Sequence, residues 1–324
     1  MTSALFTRVR WFFAGLALVL ALVPGCSEEQ PAWLGDPLAE PQATSLSGED
    51  LYAVPDTTGE IAGADAAVSE APDDVELLLA AARVRWNFEQ FRQAIAIYTR
   101  VMELAPDDWR PHAYRGIRRV SVREFDGAVT DLKRARELAP LSYRVSYNLG
   151  LAYFLEGRFD EAADEYLRCF ELADDPVAEA AQAPGFRSCS QIHADVETRV
   201  SITDWTVRAL VRAGRNEEAA ELLDTITPDM PMPPDLNLAY FHAILFYKGL
   251  MTAEEVMSIA DNGTYTLETA GYGLANWYLV EGDTARAVAI LEQVAAHPRW
   301  RGFGRIAAEV ELARLADSGD IARK

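Results

Sequence analysis

Cysteine, histidine and basic residues are all scarce in this chain of 324 residues, and each shortage removes a class of function. The three cysteines are Cys26, Cys169 and Cys189, and the four histidines are His112, His193, His242 and His297. No Cys-x-x-Cys occurs and no two histidines stand at metal-ligand spacing, so neither a metal nor a redox centre is expected. Lys and Arg number 30 against 50 Asp and Glu, a net charge of −20. A body that acidic repels nucleic acid, whose binding rests on neutralising phosphates, and it gains nothing from an anionic membrane surface. There is no phosphate loop and no paired-His helix motif. Gly271-Tyr272-Gly273 and Gly302-Phe303-Gly304 lack the preceding strand that a dinucleotide site requires, and read instead as small residues where helices approach closely. No catalytic residue, metal or cofactor is expected, and the chain does not read as an enzyme; an envelope hydrolase is the alternative of another class.

Long apolar runs are equally few. The one at the start, residues 11–23, follows Arg8 and Arg10 and ends in Pro24-Gly25-Cys26. A run this short does not span a bilayer as a permanent helix, and its charged start and small-residue end are those of an export signal. With a cysteine closing it, the segment resembles a bacterial lipoprotein signal, departing from it at Pro24. The resemblance implies that Cys26 becomes the lipidated first residue and, with Ser27 next, that the protein sits in the outer membrane facing the periplasm. An inner-membrane or secreted form, with Cys26 an incidental thiol, is the alternative. Export would place Cys169 and Cys189 in an oxidising space, where they either pair or remain a buried and an unpaired thiol.

What the sequence has in quantity is a period. Residues 144–174 read as two short amphipathic helices around Gly157-Arg158, and the landmarks recur 34 residues earlier and 34 before that. Gly150 falls on Gly116 and Ala82, Ala162 on Ala128 and Ala94, Tyr166 on Leu132 and Tyr98. The closing run repeats as Glu103-Leu104-Ala105-Pro106, Glu137-Leu138-Ala139-Pro140 and Glu171-Leu172-Ala173-Asp174. Such a period means stacked helix pairs, none able to bury its apolar face alone. These residues resemble the tetratricopeptide repeat family, which implies an all-α solenoid and a protein-binding task. In its second half the chain also resembles the periplasmic NlpI-type lipoproteins, through Tyr247-Lys248-Gly249, through Tyr278 before Glu281-Gly282-Asp283, and through the run Ala307-Ala308-Glu309-Val310-Glu311-Leu312. That resemblance implies an adaptor for envelope proteins.

The organisation read from these signals is a signal peptide over 1–26, an acidic disordered tether over 27–71, and three regular units over 72–174. An irregular insertion follows at 175–197, then degenerate pairs and a C-terminal capping helix over 198–316, and a tail over 317–324. About six pairs are expected. The tether reading rests on composition: residues 27–74 hold twelve acidic and no basic side chains, too few apolar groups to offset chain entropy. Its Trp33 and Tyr52 could dock back onto a basic groove.

That groove follows from charge against position. Residues 83–144 carry thirteen Lys or Arg and eight Asp or Glu, a local excess inside an acidic chain. On the first helices of the three units, Arg83, Trp86 and Asn87, then Arg110 and Tyr114, then Arg144, Tyr147 and Asn148 share faces at helical spacing. Arginine forks and aromatic rings suit the carboxylates and apolar anchors of a peptide. The expected partners are envelope proteins or peptides, with a lipid anchor in the membrane and no nucleic acid. A subunit of an outer-membrane assembly or export complex is the runner-up. Arg115 and Arg119 face the core side, where they either find acidic or carbonyl partners or lay their stems along it with their heads in solvent.

Overall fold

A computed structural model describes residues 37–181, 186–233, 238–260 and 267–322. All belong to the second of two units into which the chain divides, 1–32 and 33–324. The expected lipidation site Cys26, the rest of the signal segment and Trp33 lie outside the described residues.

The architecture is the expected all-α solenoid, prefaced by a hairpin of β1 (Ala43–Thr44) and β2 (Asp50–Leu51) and by α1 (Glu60–Glu70). Three pairs follow: α2 (Val75–Asn87) with α3 (Phe91–Leu104), α4 (Trp109–Ser121) with α5 (Phe125–Leu138), and α6 (Tyr143–Leu155) with α7 (Phe159–Ala173). Their regularity is local chemistry repeated. Asp74, Asp108 and Ser142 cap the three first helices, accepting from the backbone N–H of Glu76 and Leu77, of Arg110, and of Val145; these caps satisfy donors that no helical carbonyl reaches. Within a pair the helices cross at a small residue. A Cβ at Gly150 would stand 2.5 Å from the Tyr166 ring, and one at Gly116 2.7 Å from Leu132 Cγ.

The insertion carries the short helices α8 (Pro176–Ala180) and α9 (Gln191–Ala194). It is tied down twice, by a disulfide between Cys169 and Cys189 and by backbone bonds from Tyr143 N to Arg187 O and from Cys189 N to Leu141 O, each 2.9 Å. Then come α10 (Val196–Arg212) with α11 (Asn216–Asp224), α12 (Ala239–Tyr247) with α13 (Ala253–Ala260), and a π-helical turn (Leu267–Gly271) leading into α14 (Tyr272–Glu281). The last two helices are α15 (Thr284–Ala295) and α16 (Phe303–Ser318). Among the described residues no helix is long and apolar enough to cross a membrane.

Two expectations give way. Residues 37–71 are not a disordered tether. Ala43 and Leu51 are buried with Phe91, Val122 and Trp300 in one apolar cluster. Asp65 of α1 accepts two bonds from Arg85 Nη2, at 2.7 and 2.8 Å, and Arg85 is 2% exposed. The physical reason is that two acids of this segment find counter-charges elsewhere in the chain while Ala43 and Leu51 are buried: besides Asp65, Glu49 takes Arg305 Nη2 at 2.6 Å. Composition counted over the segment alone misses that neutralisation. Nor is α16 a simple cap at the far end. Its Glu309 meets Arg123 Nη2 at 2.8 Å, and Arg314 Nη2 donates to the Leu155 carbonyl. The C-terminal helix therefore returns to the turns of the second and third pairs.

Candidate binding groove

The first helices of successive pairs turn one face toward a common interior, and the returning C-terminal segment roofs part of it. What remains is a chamber of about 260 Å3. Trp86 of α2, Arg118 of α4, Tyr147 of α6, Trp205 of α10 and Tyr240 of α12 contribute to its walls, and Glu268 with residues 299 and 301–304 closes it. The roof is held from several sides. Arg301 Nε donates to Glu89 at 2.9 Å, Arg123 Nη2 to the Trp300 carbonyl at 2.9 Å, and Trp300 Nε1 to the Tyr52 carbonyl at 3.2 Å. The Trp300 ring meets Phe91 edge-on at 5.1 Å. A Cβ at Gly304 would lie 1.8 Å from the Glu268 carbonyl oxygen, so only glycine lets α16 start this close to the π-helical turn.

Charge inside the chamber is unevenly matched. Arg299 is paired with Glu268 and Arg301 with Glu89. Arg118 has rings instead of an acid: its Cζ stands 5.0 Å from the Trp86 centroid and 5.3 Å from Phe91, a cation–π contact that stabilises without neutralising. Removal of water brings the Arg118 pKa down to about 10, with Arg301 and Arg144 pushing the same way. Burial likewise raises the Glu268 carboxyl against the pull of Arg299, Arg301 and Arg305.

Behind the chamber wall lies a fully buried pair, Asp204 and Arg208, at 2.5 Å. Tyr247 donates to Asp204 Oδ1 at 3.0 Å, and Arg208 Nη2 reaches the Thr269 carbonyl at 2.9 Å. Burial pushes the Asp204 carboxyl up to about 6 despite Arg208 and Tyr247. Pairs this deep are held in geometry more than they stabilise, and here the Arg208 guanidinium braces the Trp205 ring at 4.6 Å.

The residues anticipated from sequence divide into three groups. Trp86 and Tyr147 line the chamber, the latter sharing a 3.3 Å hydroxyl contact with Tyr240. Arg83, Asn87 and Arg144 are exposed; Arg144 lies over the Tyr114 ring at 5.8 Å, and Tyr114 packs beside Tyr98 at 5.7 Å. Arg110 and Asn148 are engaged elsewhere. Arg110 holds Glu76 at 2.6 Å and Asp108 at 2.7 Å, while Asn148 is buried and donates to the Arg144 carbonyl of its own helix at 2.7 Å. Arg115 and Arg119 share one carboxylate, Asp131, at 2.6 and 2.9 Å. Arg118, Trp205, Tyr240 and the roof were not anticipated. Counting helix faces past the insertion would have reached Trp205 and Tyr240, on the first helices of the fourth and fifth pairs; the roof leaves no periodic trace.

Family models described as tetratricopeptide repeat match residues 77–108 and 115–176. Among solved structures, MamA is 20% identical, with 50% of this chain and 81% of that one covered at a TM-score of 0.40. YrrB, described as a TPR protein with an unusual peptide-binding site, is 14% identical, with coverages of 79% and 97% and a TM-score of 0.39. The TPR domain of P58(IPK) is 14% identical, with coverages of 81% and 94% and a TM-score of 0.21. No curated protein matches the chain. Caps and helix crossings that recur every 34 residues coincide with the two matched models, so residues 77–108 and 115–176 are tetratricopeptide repeats, an architecture that stacks into extended concave surfaces.

Proposed function

We propose that this chain is an exported, lipid-anchored adaptor that holds proteins or peptides of the cell envelope on the inner face of its first three repeats. The observation that carries the reading is a set of unmatched cations. In a chain of net charge −20, every other arginine from Arg85 to Arg168 has a carboxylate partner. Arg83, Arg118 and Arg144 have none among the described residues. All three stand close enough to Tyr98 to act on its hydroxyl, on three successive first helices. Unpaired guanidinium forks, two of them beside the rings of Trp86 and Tyr114, suit a partner segment that brings carboxylates and an apolar anchor. The export reading is supported by the segment ending at Cys26 and by the Cys169–Cys189 disulfide, a bond that persists in oxidising compartments; Cys26 is its lipidated residue, and the periplasmic face of the outer membrane its place.

Cross-linking in the native envelope, followed by affinity capture and mass spectrometry, tests this. A few proteins should be recovered in fixed ratio and be lost when Arg83 and Arg144 are both replaced by alanine. Unaltered recovery from that double variant contradicts the groove. Palmitate labelling lost in Cys26→Ser supports the anchor, and labelling that persists contradicts it.

A further inference from the structure

We propose that the roofed chamber is a binding site for a small organic monoanion, a carboxylate on a planar or apolar body, with Arg118 as its counter-charge. The inference goes beyond protein binding, because the chain's own C-terminal segment roofs part of the chamber, and its volume of about 260 Å3 lies just below the roughly 300–1,000 Å3 of drug-sized ligand pockets.

Counting charge gives the sign and size of the ligand's. Arg299 is matched by Glu268 and Arg301 by Glu89, which leaves Arg118 as one uncompensated positive charge facing the chamber. A partly desolvated cation without an acid is costly unless something occupies its forks. The rings of Trp86 and Phe91 stand 5.0 and 5.3 Å from the guanidinium carbon, and rings, unlike an acid, leave its N–H groups for a carboxylate.

Two deeply buried polar atoms point to the rest of the ligand. Trp205 is 1% exposed, and the bond its indole N–H shares with the Tyr240 hydroxyl is a poorly aligned one. Glu268 is also 1% exposed, and its Oε2 accepts no bond. Buried donors and acceptors are ordinarily satisfied, so a weakly held donor at Trp205 and an unfilled acceptor at Glu268 describe a ligand with both kinds of polar group. The rings of Trp86, Tyr147, Trp205 and Tyr240 supply apolar wall between them.

The test is calorimetric titration of the purified protein with 4-hydroxyphenylacetate, its uncharged amide, and a pentapeptide ending in a free tyrosine carboxylate, with tryptophan fluorescence read in parallel. The acid should bind one-to-one, and the amide at least about tenfold more weakly, the scale of one charge-assisted contact. Arg118→Met should weaken the acid by a similar factor with the amide unchanged, and Arg118→Lys should restore part of it. Equal binding of acid and amide overturns the proposal, as does binding indifferent to Arg118. So does tighter binding of the peptide, which would make the chamber an open peptide groove. Absence of heat and of fluorescence change with this acid, benzoate and hexanoate up to roughly 10 mM, weaker than any useful affinity, overturns it as well. The capture experiment on Arg83 and Arg144 stands or falls separately.

Discussion

The turns of the first two repeats and those of the later ones hold the same backbone conformation with different residues. Glu89 and Arg123 take φ of 58° and 65°, where Gly157, Gly214, Gly249 and Gly282 take values from 69° to 81°. The first three, Glu89, Arg123 and Gly157, are 34 residues apart, so they are one structural position. A side chain in that left-handed region costs about 1–2 kcal/mol that glycine avoids. The two early repeats accept this cost because their side chains hold the returning C-terminus: Glu89 takes Arg301 and Arg123 takes Glu309. At Gly157 the contact runs the other way. A Cβ there would stand 3.0 Å from Arg314 Nη2, and Arg314 itself reaches the Leu155 carbonyl. Residues 301, 309 and 314 thus step along turns 89, 123 and 157, with the charged side chain supplied by the repeat in two cases and by the return segment in the third. Strain sits where the solenoid is closed.

Replacing the strained residues with glycine separates strain from contact. Arg123→Gly relieves the turn yet leaves Glu309 buried beside Arg305 alone. Arg123 and Glu309 are 4% and 3% exposed, and breaking such a pair costs about 3–5 kcal/mol, so urea denaturation should show a net loss of roughly 3 kcal/mol. A gain in stability would mean that the contact contributes nothing. Next in size is the disulfide. Cys169→Ser with Cys189→Ser opens a loop with a sequence separation of 20, and chain entropy puts that near 3 kcal/mol. Exchange protection should fall first in residues 175–195, which the bridge ties to the regular repeats. Loss spread evenly over the chain would blur the distinction between the two regions.

Legibility followed the same division. The caps Asp74, Asp108 and Ser142, and the crossings at Gly116 and Gly150, are local events repeated at a fixed period, and they could be read off the chain. The return of α16 could not. Arg123 and Glu309 are 186 residues apart and Arg301 and Glu89 are 212 apart, and neither pair repeats. The acids of residues 37–71 misled for the same reason, since Glu49 and Asp65 are neutralised by Arg305 and Arg85 from other elements. Of the site, Trp86 and Tyr147 were visible as helix-face aromatics. Arg118 was hidden among the four arginines of α4, distinguishable only once Arg110, Arg115 and Arg119 are seen to be paired.

A smaller effect concerns the interior shared by both halves. Burial lifts the Tyr98 hydroxyl to about 12, and raises Tyr147, Tyr166, Tyr247 and Tyr272 above the ordinary value as well. An acid whose folded pKa is raised holds its proton better when folded, so the stability it contributes is complete below pH 10 and lost as pH climbs toward 12. For Tyr98 that window is worth roughly 2–3 kcal/mol. Tyr98→Phe should flatten the alkaline fall of the urea midpoint relative to the parent; parallel curves would contradict the burial account. Smallest of all is Glu89→Gly. The pair with Arg301 is partly exposed, 13% and 26%, and relief of the turn offsets most of its loss, so the change should stay within about 1 kcal/mol.

The closure itself is tested most directly by a double-mutant cycle on Arg123→Met and Glu309→Gln, with unfolding free energies measured for the two single variants, the double variant and the parent. Residues in direct contact couple by about 0.5–3 kcal/mol, and the return of the C-terminal helix onto the second repeat predicts a value near the upper end. Additivity within about 0.3 kcal/mol, the behaviour of distant sites, would contradict it.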